Sequence, residues 1–122
     1  MSSSTFRSSD RSVPAGELSG LELGIEGPMT VTPGTRARWF VVAHEVVRDR
    51  DLRPARDARV EAFASYEPAR AVAETRTDVY GRAVVEVAIP AELPSGFELQ
   101  IDLRSERARL TRRFRVQVAV DT

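Results

Sequence analysis

Cysteine, lysine and asparagine are all absent from this chain of 122 residues. Without cysteine there is no disulfide framework, no thiolate metal site and no cysteine nucleophile. Without lysine there is no Schiff-base chemistry and no phosphate-binding P-loop, because both depend on the lysine ammonium group. Without asparagine there is no N-glycosylation sequon. Several classes of enzyme and every disulfide-stapled scaffold are therefore excluded by composition.

Neither sign of charge is in excess, and long hydrophobic runs are lacking. Lys+Arg and Asp+Glu both total 18, so the formal net charge is zero, and there is no overall attraction for nucleic acid or for an anionic membrane. No stretch approaches the roughly 20 apolar residues that span a bilayer, so no membrane insertion is expected. Residues 1–13 lack the apolar core of a signal peptide. We expect a cytoplasmic protein if the chain is complete as written, and a periplasmic or extracellular one if it belongs to a larger secreted protein.

The beginning of the chain differs in composition from the rest. Residues 1–20 are rich in serine, contain Pro14 and Gly16, and have few apolar side chains. Such a segment cannot bury enough surface to offset the entropy lost on ordering. We therefore predict a flexible arm over residues 1–20. One folded domain is predicted over residues 21–122, a length that suits a single core.

From Leu21 onward, apolar and polar residues alternate with a period of two, and no helical period is visible. Turns rich in glycine and proline separate the alternating segments. These segments begin at Leu21, Arg36, Arg59, Ala71, Arg82, Phe97 and Leu110. Short alternating segments without an amphipathic helix are typical of two stacked antiparallel sheets. The predicted fold class is all-β, an immunoglobulin-like antiparallel β-sandwich of about seven strands.

Two connections carry specific expectations. Residues 48–57 are highly charged and contain Pro54, so we interpret them as a loop. Residues 78–81 read Asp-Val-Tyr-Gly, which is typical of a tight turn. In that turn we expect Asp78 to cap the backbone and Gly81 to adopt a positive φ angle.

The last two segments predict a hairpin with a defined register. A two-residue turn at residues 105–106 places Ile101 opposite Leu110 on the core side and Asp102 opposite Arg109 on the solvent side. A slip of one residue would break both kinds of pairing.

Several of these turns occur in an order that resembles a known family. The matching pieces are residues 33–35 (Pro-Gly-Thr), 48–54, 58–62, 77–83 and 89–96. Together they resemble the second macroglobulin-type domain of bacterial α2-macroglobulin-like proteins. The resemblance implies a seven-stranded sandwich that serves as a structural and interaction module. In that family protease trapping depends on a bait segment and, in many members, a Cys-Gln thioester, which a chain without cysteine cannot carry.

No arrangement of residues predicts catalysis, a cofactor or a metal ion. His44 is the one histidine. A catalytic base requires a nucleophile and an orienting carboxylate, and the segment that carries His44 places neither on the same face. A metal site requires further ligands, and there is no second histidine and no cysteine to provide them. Asp49, Asp51 and Asp57 could supply oxygen ligands to calcium. Four arginines are interleaved with them in residues 48–57, which favours a self-neutralising loop. We therefore predict that the protein is not an enzyme.

The final strand carries a candidate basic stripe. Its members are Arg107, Arg109, Arg113 and Arg115. Glu98 and Asp102 are predicted opposite two of these arginines, and no aromatic residues are interleaved for base stacking. This favours cross-strand charge pairing, and no nucleic-acid partner is expected.

The segment that begins at Arg36 contains the best candidate interface. Its second face carries Phe40, Val42 and Val46 beside Arg36 and Arg38. A solvated sheet face is normally more polar, and apolar residues rimmed by arginine are typical of a protein contact. The alternative is that a loop or the N-terminal arm covers this face.

The resulting functional prediction is a non-catalytic protein–protein interaction or scaffold module that resembles a macroglobulin-type domain. Its partner would be another protein or neighbouring domains of a larger chain, and self-association is a further candidate. The alternative is a ligand- or carbohydrate-binding β-sandwich. That function needs exposed aromatic side chains, for which Tyr66 and Tyr80 are the candidates.

Overall fold

The computed structural model describes residues 5–11, 20–47, 51–93, 95–106 and 108–119. Within these ranges the regular structure consists of ten β-strands, which confirms the all-β prediction. The strands are β1 (Thr5–Arg11), β2 (Leu21–Pro28), β3 (Thr30–Val31), β4 (Arg36–Val47), β5 (Asp51–Pro54), β6 (Arg59–Ala64), β7 (Ala73–Arg76), β8 (Arg82–Ala88), β9 (Phe97–Arg104) and β10 (Arg109–Val118). In the same ranges no helix has the length and apolar character needed to cross a bilayer.

The strands form two sheets. Sheet 1 has the order β1-β2-β4-β5, and β8 pairs with β4 as well. Sheet 2 has the order β3-β10-β9-β6-β7. The pair of β3 and β10 is parallel, whereas every other pair in the two sheets is antiparallel. Two stacked, mainly antiparallel sheets are the predicted immunoglobulin-like sandwich.

The core lies between the sheets and is built from the inward-facing half of each alternating segment. In β4, Ala37, Trp39 and Val41 are buried, since every second side chain of a strand points to the same face. The Trp39 ring packs against Phe114 of sheet 2, with ring centroids 6.3 Å apart. Its Nε1 donates a hydrogen bond to the Pro28 carbonyl at 3.1 Å, so the one polar atom of this buried side chain is satisfied.

Three strands lie where the sequence predicted none, and one of them is the two-residue strand β3. β1 pairs antiparallel with β2, although residues 1–20 were predicted to be a flexible arm. Residues 1–4 and 12–19 of that arm lie outside the described residues. β5 pairs antiparallel with β4 inside the charged segment that was interpreted as a loop. All four β5 residues are exposed, so this strand buries neither face. Its sequence therefore lacks the sustained alternation of apolar and polar residues that predicts a strand.

The last hairpin has a different register from the predicted one. Leu110 lies opposite Leu103 and not opposite Ile101, a shift of two residues. The hairpin closes one residue later in the chain than predicted, because the N–H of Ser105 donates to the Ala108 carbonyl at 2.8 Å. A shift of two preserves the face of every side chain, so the core alternation was still predicted correctly.

The turn between β7 and β8 forms as predicted. Gly81 has a φ angle of 77°, and its N–H donates to the Asp78 carbonyl at 3.0 Å. The Asp78 carboxylate accepts from the N–H groups of Arg82 and Tyr80, each at 2.9 Å. The hydrogen bond from the Arg82 backbone is the main cause that holds the pKa of Asp78 below its usual value, and the Tyr80 N–H adds to it. The predicted cap and the predicted positive φ angle are both confirmed.

Candidate functional site

The outward side of sheet 1 brings the predicted interface residues together on three neighbouring strands. β4 is central, with β2 on one side and β8 on the other. Cross-strand partners point to the same side of a sheet. Phe40 therefore lies between Glu26 of β2 and Val84 of β8, and Val42 lies beside Arg82 of β8.

Three adjacent apolar side chains are exposed on this surface. Phe40 is 51% exposed, Val84 is 45% exposed and Val42 is 38% exposed. Phe40 and Val84 are cross-strand partners, and Phe40 and Val42 are two positions apart on one strand. They form one continuous patch, which we call the Phe40 face. Single exposed apolar residues are ordinary on protein surfaces, whereas contiguous patches mark contact sites.

Charged side chains border the Phe40 face at both ends. Glu86 is shared by two arginines: Arg36 Nη1 lies 3.4 Å from Glu86 Oε2, and Arg38 Nε lies 3.7 Å from Glu86 Oε1. On the other side, the Arg82 guanidinium lies 4.8 Å from the centroid of the Tyr80 ring. Exposed pairs of this kind contribute little to stability. They hold charges of both signs at the border of an apolar patch.

A cleft opens beside this border. It has a volume of about 620 Å³ and is lined by Thr30, Thr35, Arg36, Arg38 and Glu86 among others. It lies where the chain leaves β2 in sheet 1 and enters β3 in sheet 2. Because the two arginines and the glutamate border both features, the cleft and the Phe40 face form one continuous surface.

The structure places four of the five predicted interface residues at the surface, since Arg36, Arg38, Phe40 and Val42 are exposed. Their role in binding stays a prediction.

Val46 is the exception. Its side chain is only 5% exposed, so it is not accessible to a partner, and its prediction as a surface residue was wrong. At this point β4 changes its partner from β8 to β5, where Leu52 lies opposite Val46. The Val46 N–H donates to the Gly20 carbonyl at 2.9 Å. This end of β4 therefore pairs with a residue of the predicted arm and with a strand in the predicted loop.

Val84 is the residue that sequence reasoning missed. In the segment that begins at Arg82, the two-residue period puts Ala83, Val85 and Val87 on the inward face, so the pattern itself places an apolar residue outward at position 84. Its position next to Phe40 depends on the pairing of β4 with β8, which periodicity alone does not provide.

Those candidate catalytic and metal-binding residues that the structure describes do not assemble into a site. His44 lies opposite Glu22 and Pro54, so neither cross-strand partner supplies a hydroxyl or thiol that it could activate as a base. Asp57 Oδ1 lies 3.4 Å from Arg76 Nη1, and Asp49 lies outside the described residues. Within the part of the chain that the structure describes, no group of three or more His, Cys, Asp or Glu side chains could hold a metal ion.

The arginines of β10 belong to a mixed polar surface. Arg113 Nε donates to the Gln100 side chain at 2.8 Å, and Arg115 lies opposite Glu98. These partners differ from the predicted ones by the two-residue shift of the hairpin. Arg107 lies outside the described residues.

The two tyrosines have different environments. Tyr66 packs edge-on against Phe97, with ring centroids 5.1 Å apart, and its hydroxyl donates to the Ala88 carbonyl at 3.5 Å. Partial burial, and then the charge of Glu67, raise the pKa of Tyr66. Tyr80 is 62% exposed and is stacked with Arg82. The carbohydrate-binding alternative is left with one exposed tyrosine of the two that were its candidates.

Comparison with known proteins identifies the fold and no more. No protein-family model matches the chain, and no curated protein matches it. Among solved structures, it is similar to the CARDB domain of a protein from Pyrococcus furiosus, solved in complex with di-metal ions. The TM-score is 0.52 and the identity 13%, over 88% of this chain and 100% of that domain. The CARDB domain is an immunoglobulin-like β-sandwich, which confirms the predicted fold class.

Proposed function

We propose that this chain is a non-catalytic interaction or scaffold module that binds another protein through the Phe40 face. The observation that carries the proposal is the contiguous exposure of Phe40, Val42 and Val84 on one side of a sheet. An antiparallel sheet that faces water normally has polar side chains on that side. An apolar centre with arginine at its border has the composition of a protein interface.

The resemblance to macroglobulin-type domains supports the same role. It adds neighbouring domains of a larger chain to the candidate partners. The similarity to an immunoglobulin-like CARDB domain is consistent with an interaction module.

The test compares two exposed apolar residues, one inside and one outside the Phe40 face. Phe40→Asp should lower the amount of partner captured from the native cell extract by about 10- to 100-fold, because burial of a phenylalanine contributes about 1.5–3 kcal/mol. Val79 is 58% exposed and lies outside this face, in the turn between β7 and β8. Val79→Asp should therefore leave capture unchanged. Quantitative mass spectrometry of the captured proteins measures both effects.

Two results would overturn the proposal. One is undiminished capture of every partner by Phe40→Asp. The other is unfolding of Phe40→Asp, seen by circular dichroism, together with normal capture by a folded Val84→Asp variant. Loss of capture by Val84→Asp with retained fold would support the proposal independently of position 40.

A further inference from the structure

We propose that the partner of the Phe40 face is a second copy of this chain, packed face to face about a two-fold axis along the line between β4 and β8. This inference rests on the proposed function, because it uses the same surface. Its basis is the pairing of unlike residues across these two strands. Arg38 lies opposite Glu86, and in the next outward row Phe40 lies opposite Val84.

A two-fold axis in the plane of this face, parallel to the strands, exchanges the positions of cross-strand partners. Arg38 of one copy then lies over Glu86 of the second, and Glu86 of the first lies over Arg38 of the second. In the same way Phe40 of each copy lies over Val84 of the other. An isologous interface requires this reciprocity: if one residue of the first copy contacts another residue of the second, the same contact occurs again with the two copies exchanged. Both the charged row and the apolar row are therefore self-complementary.

The neighbouring row fits the same arrangement. Val42 lies opposite Arg82, so the axis places Val42 of one copy over Arg82 of the other. An arginine can cover an apolar side chain with its aliphatic stem while its guanidinium group stays in water. Two sheets that pack in this way keep their strands nearly aligned, about 10 Å apart.

The charges favour a second copy over a partner of one sign. The border of the face carries Glu86 between Arg36 and Arg38. A strongly acidic partner would therefore be repelled by the glutamate, and a strongly basic partner would be repelled by the arginines. A second copy provides the opposite charge at two of these positions, since Arg38 and Glu86 exchange places. It puts the uncharged Ala88 over Arg36. The formal net charge of the chain is zero, so two copies have no long-range repulsion to overcome.

The small area of the face favours a weak interaction. About this axis only β4 and β8 of each copy overlap. Two strands about 4.8 Å apart, each with about seven residues of about 3.3 Å, give roughly 200 Å² per copy. Stable complexes bury about 800 Å² per partner. We therefore expect a weak dimer whose population depends on concentration.

The experiment is sedimentation equilibrium of the full chain from about 10 μM to about 1 mM, a range that suits weak association. The wild-type chain should form dimers as its concentration rises. Arg38→Glu and Glu86→Arg should each weaken self-association at least about 10-fold, since each puts like charges opposite one another twice. Arg109 is exposed on β10 of sheet 2, and Arg109→Glu should leave association unchanged.

Mixing the two charge variants is the decisive step. In the mixed dimer, the new acid at position 38 meets the new base at position 86, and the unchanged Glu86 meets the unchanged Arg38. Association should therefore return to the wild-type level. The pair within each chain remains broken in the mixture, so a purely local structural effect would not be rescued.

A second measurement covers the case in which a charge variant fails to fold. The chain has no cysteine, so Phe40→Cys and Val84→Cys each introduce a single reactive thiol. A short bismaleimide should crosslink the mixture of these two variants faster than it crosslinks either variant alone.

The remaining outcomes separate this inference from the proposed function. A wild-type chain that stays monomeric throughout, or a mixture that associates no better than the single variants, would overturn the homodimer. If Phe40→Asp still lost capture of a different protein, the Phe40 face would remain a docking surface with another occupant. If it lost nothing, both proposals would fall together.

Discussion

Gly81 illustrates how one residue can close a turn that the rest of the sandwich depends on. Its carbonyl accepts the N–H of Ala43 at 2.7 Å, which ties the turn between β7 and β8 to β4. Its φ angle of 77° is one that residues with a side chain rarely adopt. A Cβ atom at this position would also overlap the Ala43 carbonyl oxygen. Backbone conformation and close approach both require glycine here.

Gly34 provides a control that separates these two requirements. It has a similar φ angle of 79°, but no atom lies within 4 Å of the position of an added Cβ. Gly34→Ala should lower the free energy of unfolding by about 1–2 kcal/mol, the strain of the left-handed conformation alone. Gly81→Ala should cost at least about 2 kcal/mol more, because the overlap forces the backbone to move. Urea denaturation measures both, and equal losses would contradict the role assigned to the Ala43 contact.

The sequence predicted the internal geometry of the turn at Gly81 but not its contact with the rest of the sandwich. The order Asp-Val-Tyr-Gly was sufficient to predict the Asp78 cap and the positive φ angle of Gly81. The contact with Ala43 was not predictable, because it joins residues that are distant in sequence and depends on how β8 lies against β4.

Among the elements, β4 shows how alternation places one face of a strand in the core and the other at the surface. Trp39 is fully buried, with 0% exposure, and its neighbour Phe40 is 51% exposed. The same strand therefore contributes to the core with one face and to the candidate interface with the other.

A pair of adjacent substitutions tests this division. Trp39→Ala should destabilise the fold by about 3–5 kcal/mol, as expected for removal of a large buried aromatic side chain. Phe40→Ala should cost about 1 kcal/mol or less, which is the range of strand propensity at an exposed position. Thermal and urea unfolding measure both. Similar losses at the two positions would mean that Phe40 belongs to the core and that the Phe40 face is misassigned.

β5 shows why sequence reasoning missed an element. β5 is held to β4 by backbone pairing at the edge of a sheet, and all four of its residues are exposed. Alternation is produced by burial of one face, so an element that buries neither face carries no such signal. The register of the last hairpin was predicted wrongly for a related reason. A shift of two residues leaves the alternation unchanged, so only the position of the turn could decide the register.

For the whole molecule, the structural neighbour raises the question of metal binding. That CARDB domain was solved with di-metal ions. In the described part of this chain, no group of three or more potential ligands is close enough together to form a metal site. Shared fold does not carry shared function, which depends on particular side chains.

We expect calcium, zinc and manganese to leave the melting temperature of the protein within about 1 °C of its value in a chelator. A metal that binds the native state stabilises it by mass action, so specific binding raises the melting temperature. Differential scanning fluorimetry with each ion checks this. A rise of several degrees with one ion would contradict the expectation and would direct attention to the residues outside the described ranges.

The sequence by itself determined the class of the fold, the absence of lysine- and cysteine-dependent chemistry, and the outward direction of Phe40 and Val42. Each of these follows from composition or from the two-residue period, which is a local property of a strand. Tertiary structure alone decided that Val84 lies beside Phe40, that Arg38 faces Glu86, and that Val46 is buried. Pairing between distant segments depends on which sheets stack and in which register, and that is decided by the packing of the whole core.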